Sequence, residues 1–152
     1  MNSSVSFAGL VVAALLATGC AGSPATPTSP DNQSPSAGSP ALTAELAGTW
    51  KLQALQPAGD AAQATPAGAS YTLTFADGRL STRADCNLRG GAFALSGQTL
   101  TAGPALACTR AACPTMAFES TYTRLLSGDS TVTLTDGTLV LSSERGVLRF
   151  TR

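Results

Sequence analysis

The feature that most constrains the fold is an alternation of apolar and polar residues, interrupted by Asp-Gly pairs. In YTLTFADGRLSTRAD, residues 71–85, this alternation runs on both sides of Asp77-Gly78. A period of two is typical of a strand with one buried face, and Asp-Gly is a strong hairpin signal. The same arrangement returns around Asp136-Gly137. The sequence therefore predicts antiparallel hairpins, each with one face to bury.

Further strands and one helix complete the predicted order. The strands are predicted over residues 48–55, 71–75, 79–85, 92–96 and 99–103, then over 130–135, 138–143 and 146–151. Gly90 and Gly91 are expected to break the chain after the third strand. The helix between the two groups is indicated by an apolar stripe of Phe118, Tyr122, Leu125 and Leu126. We therefore predict an α+β fold of about five strands, one helix and three strands, with a mostly antiparallel sheet.

The N-terminus has a different pattern. The apolar run from Phe7 to Leu16 is shorter than the about 20 residues that a membrane-spanning helix needs, and it fits a signal peptide. The following LATGC, residues 16–20, resembles the lipobox of bacterial lipoproteins, in which the cysteine is acylated with fatty acids such as palmitate. We therefore expect a lipoprotein signal peptide over residues 1–19 and a membrane anchor on Cys20.

Residues 20–44 are rich in serine and proline and contain five of the nine prolines. Such a segment buries too little apolar surface to offset its ordering entropy. We predict a disordered tether here, followed by a domain over residues 45–152. Ala21 occupies the position at which an aspartate commonly retains lipoproteins in the inner membrane. Because this position is not an aspartate, the sequence favours the outer membrane in a cell with two membranes. The expected location is the cell envelope, on the periplasmic or cell-surface side.

Composition argues against several function classes. Nine lysines and arginines balance nine aspartates and glutamates, so the chain lacks the basic excess typical of nucleic-acid binding. The chain has no histidine, which is the usual general base near neutral pH and the commonest metal ligand. We therefore expect no catalytic residues, no metal, no cofactor and no nucleic-acid partner.

Three cysteines lie within the predicted domain: Cys86, Cys108 and Cys113. In an oxidising compartment they are expected to form a disulfide. A nucleophilic role for Cys86 is disfavoured, because no histidine can serve as its base and Asp85 opposes the thiolate. A zinc site is also disfavoured by the ligand set. Loop closure contributes about 3.6 kcal/mol for the pair 86–113 and about 3.4 kcal/mol for 86–108, which does not separate the two pairings.

Several segments together resemble a known family. They are LAGTWKL (46–52), YTLTFADGRLSTRADCN (71–87), GGAFALSGQTLTAGPALACTRAAC (90–113), the Glu-x-x-Tyr-x-x-Leu-Leu part of the helix (119–126) and the closing strands. Over about residues 42–152 the chain resembles the META domain, the family of HslJ-type envelope lipoproteins. The resemblance implies a curved, barrel-like sheet of about eight strands with one helix packed on it. It also implies an envelope protein associated with stress responses and without established catalytic residues.

The resemblance also implies a disulfide pairing. Family members commonly have the cysteine of Asp-Cys-Asn and the last cysteine of Thr-Arg-x-Ala-Cys, which are Cys86 and Cys113 in this sequence. Cys108 would then be a free thiol buried beside the pair, or an alternative partner.

Four other residues have two interpretations. Asn87, Gly90 and Gly91 are typical of a turn, and otherwise would form a loop that meets a ligand. Trp50 is expected to fill the core at the base of the sheet, or to line a pocket. The Gly-Thr-Trp around it also resembles the first strand of lipocalins. The position of the helix before the last three strands argues against that family.

Two functional hypotheses remain open. Arginines recur at Arg79, Arg83, Arg89, Arg110 and Arg124. They would bind an anionic partner such as lipid headgroups, or form a solvated face neutralised by Asp77, Asp85 and Glu119. The first hypothesis is a non-enzymatic envelope module that supports stress tolerance by binding an envelope protein or lipid. The alternative is a small-ligand or lipid carrier that uses the interior of the curved sheet, which would require an internal apolar cavity.

Overall fold

The structure is a computed structural model that describes residues 40–103 and 107–152. The signal peptide predicted over 1–19, the anchor Cys20 and tether residues 21–39 lie outside the described residues. The interpretations of those segments therefore stay predictions. No helix among the described residues is long and apolar enough to cross a membrane.

Two helices and a single sheet make up the described domain. The helices are α1 (Pro40–Leu46) and α2 (Met116–Leu126). Eight long strands are β1 (Gly48–Pro57), β3 (Tyr71–Ala76), β4 (Arg79–Ala84), β5 (Asn87–Ser96), β6 (Thr99–Ala102), β8 (Gly128–Thr135), β9 (Thr138–Ser143) and β10 (Gly146–Thr151). Two short strands, β2 (Gln63–Ala64) and β7 (Ala107–Cys108), attach to β1 and β5.

The long strands close into an antiparallel barrel. Their order is β10-β9-β8-β6-β5-β4-β3-β1, and β10 also pairs with β1. Closure removes the exposed sheet edges that would otherwise pair with other chains. The predicted curved sheet of about eight strands, with five before helix α2 and three after it, is confirmed.

Local sequence explains the hairpins. Asp77 and Gly78 have φ values of 50° and 70°, and Asp136 and Gly137 have 48° and 73°. Two successive residues with positive φ form the tight turn whose twist matches that of the strands, and Asp-Gly adopts it readily. The alternating residues of β3 and β4 predicted to face inward are all buried: Tyr71, Leu73, Phe75, Leu80, Thr82 and Ala84.

The predicted break at Gly90 and Gly91 is wrong. Strand β5 runs through both glycines, which pair with Ser81 and Leu80 of β4. The chain turns earlier, because Asp85 adopts a φ of 56° and Ala84 pairs directly with the first residue of β5. An aspartate tolerates the left-handed conformation, and the ladder pairing outweighs the low strand propensity of the glycines.

The helices cover opposite ends of the barrel. At one end Leu46 of α1 is buried, and its carbonyl oxygen accepts a hydrogen bond of 2.8 Å from Trp50 Nε1. At the other end the hydroxyl of Tyr122 from α2 lies 2.6 Å from that of Thr82. Helix α1 includes residues 40–44, which the sequence placed in the tether. Residues 40–44 therefore belong to a helix whose last residue, Leu46, packs onto the core.

Side chains fill the barrel interior. Trp50, Tyr122, Phe75 and Phe150 are all almost completely buried. The rings of Tyr71 and Tyr122 meet edge to face at a centroid distance of 5.3 Å. Such packing resembles that of an ordinary core rather than of a ligand-binding barrel. The filled interior therefore does not favour the carrier hypothesis, which requires an internal apolar cavity.

Candidate functional site

The end of the barrel covered by α2 is tied together by a disulfide. Cys86, in the turn between β4 and β5, is bonded to Cys113, which precedes α2. This confirms the pairing that the family resemblance implied. The side chain of Cys108 lies outside the described part of the structure, so its free thiol stays a prediction.

Asn87 is the centre of a hydrogen-bond network beside this disulfide. Its Oδ1 accepts from the Ala111 backbone nitrogen at 2.7 Å and from Thr109 Oγ1 at 3.2 Å. Its Nδ2 lies 3.1 Å from the Ala111 carbonyl oxygen, 2.8 Å from Glu119 Oε2 and 3.2 Å from Cys113 Sγ. The sequence predicts a turn at Asn87, but the hydrogen bonds of its side chain go to residues outside that turn. It joins the segment 109–113 to helix α2.

Glu119 is a buried carboxylate with two partners. Its exposed fraction is 5%, and its Oε1 accepts a hydrogen bond of 3.0 Å from Arg89 Nη2. Its Oε2 accepts from Asn87 at 2.8 Å. A buried charge is tolerated where an opposite charge and hydrogen bonds compensate it. Arg89 Nε is buried and has no hydrogen-bond partner among the described residues.

A surface groove lies between α2 and the segment 109–112. We call it the basic groove, and its main side chains are Asn87, Arg89, Arg110, Met116, Glu119 and Arg124. Its volume is about 640 Å³. Three arginines and one glutamate line it, so its net charge is +2. Arg110 and Arg124 are exposed, and neither forms an ion pair with any described residue.

The groove gathers only some of the residues singled out from the sequence. Arg89, Arg110 and Arg124 come together there, whereas Arg79 and Arg83 do not line it. Of the three predicted neutralising acids, Glu119 alone belongs to the groove lining. Asn87 contributes to its wall, while Gly90 and Gly91 lie within strand β5.

Trp50 belongs to the opposite end of the barrel. It is buried in the core, as predicted. Its ring also contacts the guanidinium of Arg152, whose central carbon lies 4.3 Å from the ring centroid. A smaller pocket of about 250 Å³ lies beside this pair. A cation over an indole ring stabilises the fold and fixes the C-terminal arginine.

The tyrosines at the α2 end serve packing and hydrogen bonding. Burial raises the pKa of Tyr122 well above its usual range, and burial also raises the pKa of Tyr71. The hydroxyl of Thr115 lies 2.8 Å from that of Tyr71 and donates to Asp85 Oδ2 at 2.7 Å. No group of three or more histidine, cysteine, aspartate or glutamate side chains among the described residues is arranged to hold a metal ion.

Sequence reasoning missed the joint role of Asn87 and Glu119. Glu119 lies between Phe118 and Tyr122 of the apolar stripe, at the edge of the buried helix face. A charged residue at the edge of such a stripe signals a buried pair when an arginine lies on a neighbouring element. The contact with Arg89 joins residues 30 positions apart, which no local pattern indicates.

Comparisons with known proteins agree with this architecture. The family model of the META domain matches residues 42–152. An NMR structure of a protein from Burkholderia xenovorans is similar, with 29% identity and a TM-score of 0.61, over 85% of this chain and 97% of that chain. A second NMR structure shares the fold at 23% identity and a TM-score of 0.54, over 70% of this chain and 89% of that chain. No curated protein matches the chain significantly.

Proposed function

This chain belongs to the META domain family, which is not a known enzyme family, and we propose that it is a lipid-anchored envelope protein that binds another envelope component without catalysing a reaction. The domain would be held near the membrane by acyl chains on Cys20. A multiply acylated cysteine is a stable anchor, because each buried methylene contributes about 0.8 kcal/mol. Binding would support the tolerance of the cell to envelope stress.

The basic groove is the observation that carries this proposal. The barrel interior is filled by core side chains, so the described domain offers its free polar groups at the surface. The groove combines a concave shape with two arginines that have no acidic partner among the described residues. Exposed, unpaired guanidinium groups in a concavity are typical of recognition rather than of folding.

The absence of catalytic groups in the described groove supports a binding role. Its carboxylate, Glu119, is committed to Arg89 and Asn87. The hydroxyls of Thr123 and Ser127 donate to backbone oxygens of α2, at 2.7 and 2.8 Å. No described side chain of the groove is therefore placed as a nucleophile beside a general base.

Anchoring and binding are tested in the same cells. The full-length protein is expressed in bacteria that are fed an alkyne-labelled fatty acid, beside a Cys20→Ala variant. We expect the label on the wild-type chain alone, in the membrane fraction. Equal labelling of the two chains, or none on the wild type, would contradict the anchor.

Binding is tested with a photo-crosslinking amino acid at one of two exposed positions. Ser120 lines the basic groove, and Thr133 lies near α1 at the other end of the barrel. We expect a defined adduct from position 120 and a much weaker one from position 133. The same adducts from both positions would mean that the groove is not the binding surface.

A further inference from the structure

We propose that the basic groove binds the phosphate group of an anionic lipid headgroup, with Arg110 and Arg124 as its principal ligands. This inference rests on the proposed function and names the chemistry of the component bound. Arg110 lies in the segment 109–112 that forms one wall, and Arg124 lies on α2, which forms the other.

Charge favours an anion in the groove. The net charge of the lining is +2, and Arg89 already compensates the single carboxylate. Arg110 and Arg124 are both exposed, so they reach a ligand without losing a contact in the described structure. A guanidinium presents several N–H donors in a planar fork that matches phosphate oxygens. Two such groups facing one concavity can hold a phosphate from two sides.

The groove is fixed in shape before any ligand arrives. The disulfide joins Cys86 to Cys113 at one end of the wall segment. Asn87 holds both backbone groups of Ala111 and also contacts Glu119 of α2. Walls held in this way lose little conformational freedom on binding, which improves affinity for a given set of contacts. The network thus serves to position the two arginines.

Size and an apolar edge favour a lipid over a free phosphate ion. The groove volume of about 640 Å³ greatly exceeds what one phosphate group requires. Met116, which lines the groove, is 56% exposed. A large exposed apolar side chain beside paired basic ones is typical of contacts with a headgroup and the start of its acyl chains.

Lipid titration with native mass spectrometry tests the proposal. The full-length acylated protein is released from neutral detergent micelles that contain phosphatidylglycerol or phosphatidylcholine with identical chains. Inorganic phosphate alone is a third probe. We compare the wild type with Arg110→Gln/Arg124→Gln and with Arg79→Gln/Arg149→Gln. The control pair removes the same charge from exposed arginines outside the groove.

We expect one tightly bound phosphatidylglycerol on the wild type and at least tenfold weaker binding of phosphatidylcholine and of inorganic phosphate. The groove variant should lose at least tenfold in affinity for phosphatidylglycerol, and the control variant less than twofold. Circular dichroism should be unchanged, because the side chains of Arg110 and Arg124 are exposed and neither forms an ion pair with a described residue. Unchanged lipid binding by the groove variant would overturn the proposal.

Two further outcomes would also overturn it. Equal losses in the two variants would show general charge attraction rather than a site. Equal affinity for inorganic phosphate and phosphatidylglycerol would show that the groove recognises phosphate alone and not the lipid. These measurements use a purified protein, so they are independent of the cell-based tests. A defined protein adduct from position 120 without lipid binding would keep the proposed function and reject this inference.

Discussion

Removing the side chain of Asn87 should destabilise the domain more than removing the side chain of an exposed polar residue. The side chain is buried, with an exposed fraction of 3%. It serves both backbone groups of Ala111 and one oxygen of buried Glu119. A buried polar group that loses its partner costs about 1–3 kcal/mol, and more when it is charged. Asn87→Ala should therefore reduce the free energy of unfolding by about 3–5 kcal/mol.

The assay is urea unfolding of the full-length protein in neutral detergent, followed by the fluorescence of Trp50, the only tryptophan. Gln63→Ala is the matched control, because this amide is exposed on the short strand β2. We expect the control to change the free energy of unfolding by less than about 0.5 kcal/mol. A loss below about 1 kcal/mol for Asn87→Ala would refute the role given to this network.

A charge variant separates hydrogen bonding from size. Asn87→Asp keeps the shape but replaces a donor, 2.8 Å from Glu119 Oε2, with a carboxylate. Two close carboxylates cannot both ionise without strong repulsion, so the pKa of one of them should rise. Stability should then fall as pH rises through that elevated pKa, and the deficit relative to wild type should shrink in acid. A deficit that does not depend on pH would contradict this interpretation.

Three further predictions concern the barrel. Replacing Cys86 and Cys113 with alanines should reduce the free energy of unfolding by about 3.6 kcal/mol, because the open loop has more conformational entropy when unfolded. The measurement is urea unfolding of the variant and the wild type under non-reducing conditions, and a reduction below about 1 kcal/mol would contradict this. Gly146→Ala should reduce the free energy of unfolding by more than about 3 kcal/mol, because a Cβ there would lie 2.1 Å from the Gln56 carbonyl oxygen. Gly137→Ala is the control: it has open space around its Cβ and should reduce the free energy of unfolding by about 1–2 kcal/mol. Equal reductions in the two variants would exclude the clash. Burial raises the pKa of Tyr122 well above its usual range, so the stability that this residue contributes should be fully present below pH about 10 and should fall above it by up to about 1.4 kcal/mol per pH unit. Absorbance at 295 nm should then show that one of the two tyrosines ionises only when the domain unfolds, and ionisation of both tyrosines in the folded protein would contradict this.

Local sequence was sufficient for the parts of the fold that depend on short-range chemistry. The Asp77-Gly78 and Asp136-Gly137 turns follow from residues that tolerate positive φ, and the buried faces follow from a period of two. Helix α2 follows from its apolar stripe. Gly90 was misinterpreted, because ladder pairing across β4 and β5 outweighed its local preference. Propensity is a weak guide wherever tertiary pairing decides.

The candidate site was only partly predictable, because its contacts join distant parts of the chain. The sequence identified Asn87 and the recurring arginines, but not which arginines would meet. The barrel brings Arg89 to Glu119 across 30 positions, and the disulfide places the segment with Arg110 opposite α2. Helix α1 was missed because its sequence, PALTAEL, follows a proline-rich stretch and is defined mainly by packing of Leu46.

Binding in the basic groove is tested most directly by photo-crosslinking from Ser120 in intact cells, with the adduct identified by mass. The wild type is compared with a chain that also carries Arg110→Gln/Arg124→Gln. We predict a phospholipid adduct on the wild type that falls at least tenfold in the variant, because the two arginines hold the phosphate in the groove. An adduct of equal yield in both chains would contradict the claim that this groove is the binding site.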